Sequence, residues 1–301
     1  MKKSVLVMLG ILVGVFLLFS LLDRNGEYGA EQLMWLTTHR LQEFSHDPKS
    51  VPDQAFDALE KNFEAIIKRD PQSELALQAY LSIGRIYLVK RSYGIARQKI
   101  EEGLNRYPQR PDFCALALSF IGRTYELEED LPQALRIYKR LVNEYPQTPV
   151  GLEMPLYIGQ IYEREGAQAK AQTTYSQAID HYRQLADEHP DSDLEIRSLR
   201  MLANTYIGLQ KWQEAVDTLG EVLIKSGPNQ YLDSSQVNLI LRSINTISIV
   251  ELKNYTVPKK IYKEYIRRHP QDGLSRVIKE LIKGLNVLEK NSVKIQDKKI
   301  P

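Results

Sequence analysis

The sequence predicts an all-α solenoid of stacked helix-turn-helix units behind an N-terminal apolar span. Three observations carry that reading. A short apolar segment ending in tyrosine recurs as YLSIGRIY, LSFIGRTY, PLYIGQIY and LRMLANTY, closing at Tyr87, Tyr125, Tyr162 and Tyr206. The intervals are 38, 37 and 44 residues (125−87, 162−125, 206−162), and a period of about 20–50 residues marks stacked supersecondary units. Each segment is followed by a small residue and then a helix-ending proline. Finally, residues 4–22, SVLVMLGILVGVFLLFSLL, carry no charge.

The apolar span comes first. Nineteen residues (4 to 22) between Lys2-Lys3 and Asp23-Arg24 suffice for one transmembrane helix and exceed the usual apolar region of a cleaved signal peptide. No A-x-A-like cleavage site follows, so a retained signal-anchor is expected. The only cysteine, Cys114, lies far downstream, which argues against a lipid-anchored N-terminus. Lys2 and Lys3 place residues 1–3 in the cytoplasm by the positive-inside rule and the repeats outside it.

Residues 23–55 supply an opening helix and loop. AEQLMWLTTHRLQEF (Ala30 to Phe44) has a helical apolar period, and HDPKSVPD (His46 to Asp53) is a polar, proline-bearing loop. The solenoid is expected over residues 56–272, as a half unit, FEAIIKRDP (Phe63 to Pro71), and about five full ones. Gly84, Tyr87, Ala96, Ile100 and Pro108 define the first. Gly122, Tyr125, Ala134, Tyr138 and Pro146 define the second, and Gly159, Tyr162, Ala171, Tyr175 and Pro190 the third. The fourth has Ala203, Tyr206, Ala215 and Leu219, and closes at Gly227-Pro228; a worn fifth ends in IYKEYIRRHP (Ile261 to Pro270). Glycine or alanine at the eighth and twentieth positions lets paired helices approach. The tyrosines fill space between hairpins, and proline ends the second helix. His189 and His269 stand before closing prolines where Tyr107 and Tyr145 stand in other units, as structural substitutes.

In the third unit the proline interval is 44 (190−146) against 38 before it (146−108). AKAQTTYSQAIDHYRQLADEH (Ala169 to His189) holds no glycine or proline, so a second helix lengthened by about two turns, unbroken near Asp180 to Arg183, is expected. Leu274, Val277, Ile278, Leu281, Ile282, Leu285 and Leu288 form one stripe, the mark of a capping helix at 273–290. Residues 291–301 read as a disordered tail.

These residues resemble the tetratricopeptide pattern W-x2-L-G-x2-Y, A-x3-F, P. The longer period and the turns PQSE, PQRPD, PQTPVG and PDSD resemble a bacterial envelope branch. That branch includes the tetratricopeptide subunit of the β-barrel assembly machinery and the Tol–Pal coordinator proteins. The resemblance implies a protein-binding adaptor whose first helices line a groove through their second, fifth, ninth and twelfth positions. Those positions select Arg85, Ser119, Arg123, Glu126, Gln160, Glu163, Arg197, Arg200 and Asn204 as partner-binding candidates, a mixed polar strip fit for an extended or helical peptide.

Composition excludes other classes. Beyond the span, 38 basic residues (40−2) balance 38 acidic ones, so no charge field calls for nucleic acid. No nucleotide, hydrolase or metalloprotease motif is present, and the five histidines (39, 46, 181, 189, 269) lack metal-ligand spacing. No catalytic residue, metal or cofactor is expected, and no segment is large enough for a separate catalytic domain. The leading reading is a single-pass inner-membrane adaptor with its soluble part in the periplasm, serving envelope protein assembly or folding. A cytoplasm-facing adaptor of opposite topology and a self-assembling, homo-oligomeric scaffold are the alternatives.

Overall fold

The computed structural model describes residues 27–227 and 231–297. The expected span at 4–22 lies outside them. Thirteen α-helices follow in order among the described residues. They are α1 Glu27–His46, α2 Asp53–Arg69, α3 Glu74–Val89, α4 Tyr93–Arg106, α5 Pro111–Leu127, α6 Leu131–Glu144 and α7 Pro149–Arg164. Then come α8 Gln168–Glu188, α9 Asp193–Gly208, α10 Trp212–Ser226, α11 Ser234–Thr246, α12 Thr256–Arg268 and α13 Gly273–Asp297. Side-chain oxygens of Ser73, Asp130, Ser192 and Asp233 accept amide hydrogens at the starts of α3, α6, α9 and α11, satisfying donors a helix leaves orphaned.

The turns inside the hairpins share one device. The carbonyls of Tyr87, Tyr125, Tyr162 and Tyr206 accept from the amides of Ser92, Asp130, Ala167 and Lys211 at 2.8–2.9 Å. This is the six-residue closure of a helix C-terminus, which requires a left-handed residue. Arg91, Glu129, Gly166 and Gln210 hold it, at φ 56, 62, 73 and 55°. Only the third unit uses glycine there.

The chain divides into two compact units, residues 1–150 and 151–301. In the first, α1 packs on α2, α3 on α4 and α5 on α6, while α1 also touches α3, and α3 touches α5. First helices therefore lie side by side. The half unit expected at the front is a complete hairpin, because α1 supplies the missing first helix. Phe56, Leu59, Phe63, Ile66 and Ile67 of α2 are buried with Leu41 of α1 and Ala76, Ala79, Ile83 and Ile86 of α3, each large side chain stabilising the fold by about 1.5–3 kcal/mol. Glycine spaces the later hairpins. A Cβ on Gly122 would stand 2.3 Å from the Tyr138 ring, and one on Gly84 would stand 2.6 Å from Ile100.

In the second unit, α8 is one unbroken helix of 21 residues against 14 for α6, so the lengthening read from the proline interval is present. Its extra turns pack into the core, where Tyr182, Leu185 and Ala186 are buried. A Cβ on Gly159 would meet the Tyr175 ring at 2.3 Å. In the worn unit, α11 runs into a π-helical turn, Ile247–Glu251, and the closing bond spans one residue more, from the Asn254 amide to the Ser248 carbonyl. The capping helix continues to Asp297 rather than ending at 290. No glycine or proline interrupts residues 291–297, so the helix propagates past its apolar stripe, and the reading of 291–297 as disordered is corrected.

The repeated tyrosines are less buried than expected. Tyr87, Tyr125, Tyr162 and Tyr206 are all half-buried, whereas Tyr138 and Tyr182 in second helices, and the pre-proline Tyr107, are fully buried. Tyr107 donates to the Pro71 carbonyl at 2.5 Å. His269 makes the matching contact with the Ile224 carbonyl at 2.9 Å through Nε2, as its reading as a tyrosine substitute requires. Cys114 is fully buried.

Candidate functional site

Helices α1 and α3 flank a cleft of about 510 Å³. Met34, Trp35, Thr38 and His39 of α1 form one wall, and Gln78, Leu81, Ser82 and Arg85 of α3 the other. The hairpin register explains the second wall. Gln78, Leu81 and Arg85 hold the second, fifth and ninth positions counted from Gly84, and a helix presents such positions along one face. Trp35 is 64% exposed and stacks on His39, with ring centroids 5.3 Å apart and planes 4° from parallel. The Thr38 hydroxyl is buried in the wall with no hydrogen-bond partner among the described residues. Arg85 is exposed. The polar groups that the cleft exposes are those of His39, Gln78 and Arg85.

The other candidates divide by role. In the second repeat Arg123 is exposed and Ser119 half-buried. Arg123 pairs with Glu126 at 3.1 Å, and Glu126 also accepts from the Tyr138 hydroxyl at 2.9 Å. In the third repeat the same positions form the same bond, with Tyr175 donating to Glu163 at 2.7 Å. Burial first, and then the Glu163 carboxylate, push the Tyr175 hydroxyl well above its usual range, so it stays a donor. Glu126 and Glu163 thus tie the first helix of a hairpin to the second. Gln160 and Asn204 are exposed, and Arg197 and Arg200 half-buried. Arg197 is occupied by Asp193 at 2.7 Å. The Asp233 carboxyl is held below its ordinary value first by the Ser235 hydroxyl, with the Arg200 charge adding to the effect.

Sequence reasoning missed Trp35, Thr38, His39, Gln78 and Leu81. Counting all four positions of the first unit, apolar ones included, would have found Gln78 and Leu81. Reading α1 as a first helix would have found the rest. The strip is also less polar than expected, since Leu116, at the second position of the next unit, is 46% exposed.

Residues 121–148 and 156–192 match the tetratricopeptide repeat family model. Both segments are thus similar to tetratricopeptide repeats. They take in the later parts of α5 and α7 and all of α6 and α8, and the chain is similar to several solved structures. BtubC from P. vanneervenii is 12% identical, covering 79% of this chain and 90% of that one, with a TM-score of 0.43. Cut9–Hcn1 of the APC/C is 14% identical over 87% of this chain and 56% of that one, TM-score 0.30. The TPR2AB domain of yeast Sti1, in a pHSP90 complex, is 11% identical over 85% and 99%, TM-score 0.31. Identity this low and superposition this loose say nothing about partners. No curated protein matches the sequence. Among the described residues no group of three His, Cys, Asp or Glu could hold a metal ion.

Proposed function

We propose that this chain is a membrane-anchored, non-catalytic adaptor that holds a protein partner along its first helices, at the periplasmic face of the inner membrane. Tetratricopeptide repeats are protein-interaction modules, and the carrying observation is the α1–α3 cleft. It sets exposed Arg85 and Gln78 beside an exposed tryptophan. An extended or helical peptide with an acidic group next to an apolar side chain fits that combination. Anchoring rests on the uncharged residues 4–22; among the described residues no helix is long and apolar enough to cross a membrane. The outward orientation rests on Lys2 and Lys3. A role in envelope protein assembly or folding rests on the turns that follow the closing prolines.

Replacing Arg85, Arg123 and Arg200 together by Ala tests the reading. Helicity stays unchanged and co-purification of the partner from native membranes weakens. Undiminished capture by the triple variant would place the binding surface elsewhere. Protease added to intact spheroplasts digests the repeats if they face outward, and protection until lysis reverses the topology.

A further inference from the structure

The outward side of α1 carries an aromatic ridge. At 100° per residue, Trp35 and His39 lie about 20° to either side of the line through Tyr28. Ala30, Thr37 and Leu41, the buried residues of this helix, lie on the far side. Tyr28 and Trp35 are each 64% exposed. The ridge holds no Lys, Arg, Asp or Glu; Glu31 and Glu43 stand about 60° to either side. Two large amphipathic rings directed away from the core, about 10 Å apart along one helix, are not explained by packing within the protein.

The chain's covalent order says what covers them. Only residues 23–26 separate the end of the apolar segment from α1. Even fully extended, that connection reaches no more than about 20 Å, so the start of α1 stays near the edge of the hydrocarbon. Tyrosine and tryptophan are the residues that settle at that depth, ring in the apolar boundary and polar atom among headgroups.

We propose that α1 lies on the bilayer surface with Tyr28 and Trp35 seated in the headgroup zone of the lipid. The inference rests on the membrane anchor of the preceding reading and adds an orientation to it. Trp35 is also the lip of the α1–α3 cleft, so the cleft opens beside the membrane and its partner is bound at the lipid surface. The flanking carboxylates make a zwitterionic headgroup the fitting one, because an anionic surface repels them.

The test uses the full chain in phosphatidylcholine vesicles. The chain has two tryptophans, so Trp212→Phe leaves Trp35 as the sole emitter. Lipid brominated near the headgroup is expected to quench most of that emission, and lipid brominated at the chain ends much less. In the wild-type chain, Trp35→Ala is expected to remove the quenched component while the Trp212 signal persists, which covers the case in which Trp212→Phe unfolds its unit. A chain that floats with the vesicles while Trp35 is unaffected by bromine overturns the docking and leaves the anchor standing. A chain that does not float overturns both. A Trp35 signal that is blue-shifted in detergent yet insensitive to brominated lipid would show that a protein segment covers it, and also overturns the proposal.

Discussion

Tyr182 bridges the backbone of the helix that Pro155 interrupts. Its hydroxyl accepts from the Leu156 amide at 3.2 Å and donates to the Leu152 carbonyl at 2.8 Å. Those are the two groups that an uninterrupted α-helix would pair with one another. Proline inside α7 disturbs the ladder at this point, and the extra turns of α8 bring a fully buried hydroxyl to it. Removing that hydroxyl takes a side-chain partner from two backbone groups inside the core. Tyr182→Phe is therefore expected to cost about 1–3 kcal/mol in urea unfolding, and less in a Pro155→Ala background, where the helix closes on itself. Equal costs in both backgrounds would dissociate the tyrosine from the proline.

The left-handed turn residues give a prediction of opposite sign. Glu129 and Gln210 hold φ of 62° and 55°, and both are exposed. An L-residue there costs about 1–2 kcal/mol, against about 0.4–1 kcal/mol of added unfolded-chain entropy for glycine. Glu129→Gly and Gln210→Gly are each expected to raise stability by about 0.5 kcal/mol. Gly166→Ala, at φ 73°, is expected to lower it. Thermal melts of the three variants decide, and a lowered midpoint for both glycine variants would sink the argument.

Gly122 is a packing residue rather than a flexible one. Its missing Cβ leaves room for the Tyr138 ring, which would stand 2.3 Å away and is itself tied to Glu126. Gly122→Ala is expected to destabilise the first unit by about 1–3 kcal/mol. In Gly122→Ala/Tyr138→Leu the overlap is relieved, and recovery of part of that loss is the diagnostic result. No recovery would mean that the alanine acts through something other than the ring.

The α2–α3–α4 layer carries a pH-dependent contact. The Glu60 carboxylate accepts from the Tyr87 hydroxyl at 2.6 Å and pairs with Lys99 at 2.8 Å. Partial burial pushes its pKa up, but Lys99 and Tyr87 together outweigh that and hold it below the ordinary value. A depressed carboxyl contributes stability that is complete above about pH 4.3 and drains away as pH falls through the folded-state value. Glu60→Gln should thus be less stable than the wild type near pH 7, and the gap should narrow below about pH 4. A gap independent of pH, measured by urea titration at each pH, contradicts this account of Glu60.

Much of this architecture was legible in the chain. The Gly84, Gly122 and Gly159 series announced close helix pairing, and the Pro146–Pro190 interval announced the long α8. Three things were not. The tyrosine marker was read for its ring, but its repeated structural task is its carbonyl, a backbone role that side-chain identity does not display. Pro155 sits inside a strong apolar period and is tolerated because Tyr182, 27 residues later (182−155), compensates for it. That pairing is long-range and invisible to local propensity. Trp35 was read as part of an opening helix instead of a groove wall, because α1 lacks the glycine and tyrosine that mark the other first helices.

The central claim is that the partner lies against the first helices, and site-specific photocrosslinking in native membranes tests it most directly. Benzoyl-phenylalanine placed at Gln78, an exposed position in the α1–α3 cleft, is compared with the same probe at exposed Lys139 on α6, a second helix. The account predicts a discrete heterologous adduct from position 78, lost in the Arg85→Ala background, and none from position 139. Adducts from position 139 with none from position 78 would contradict it.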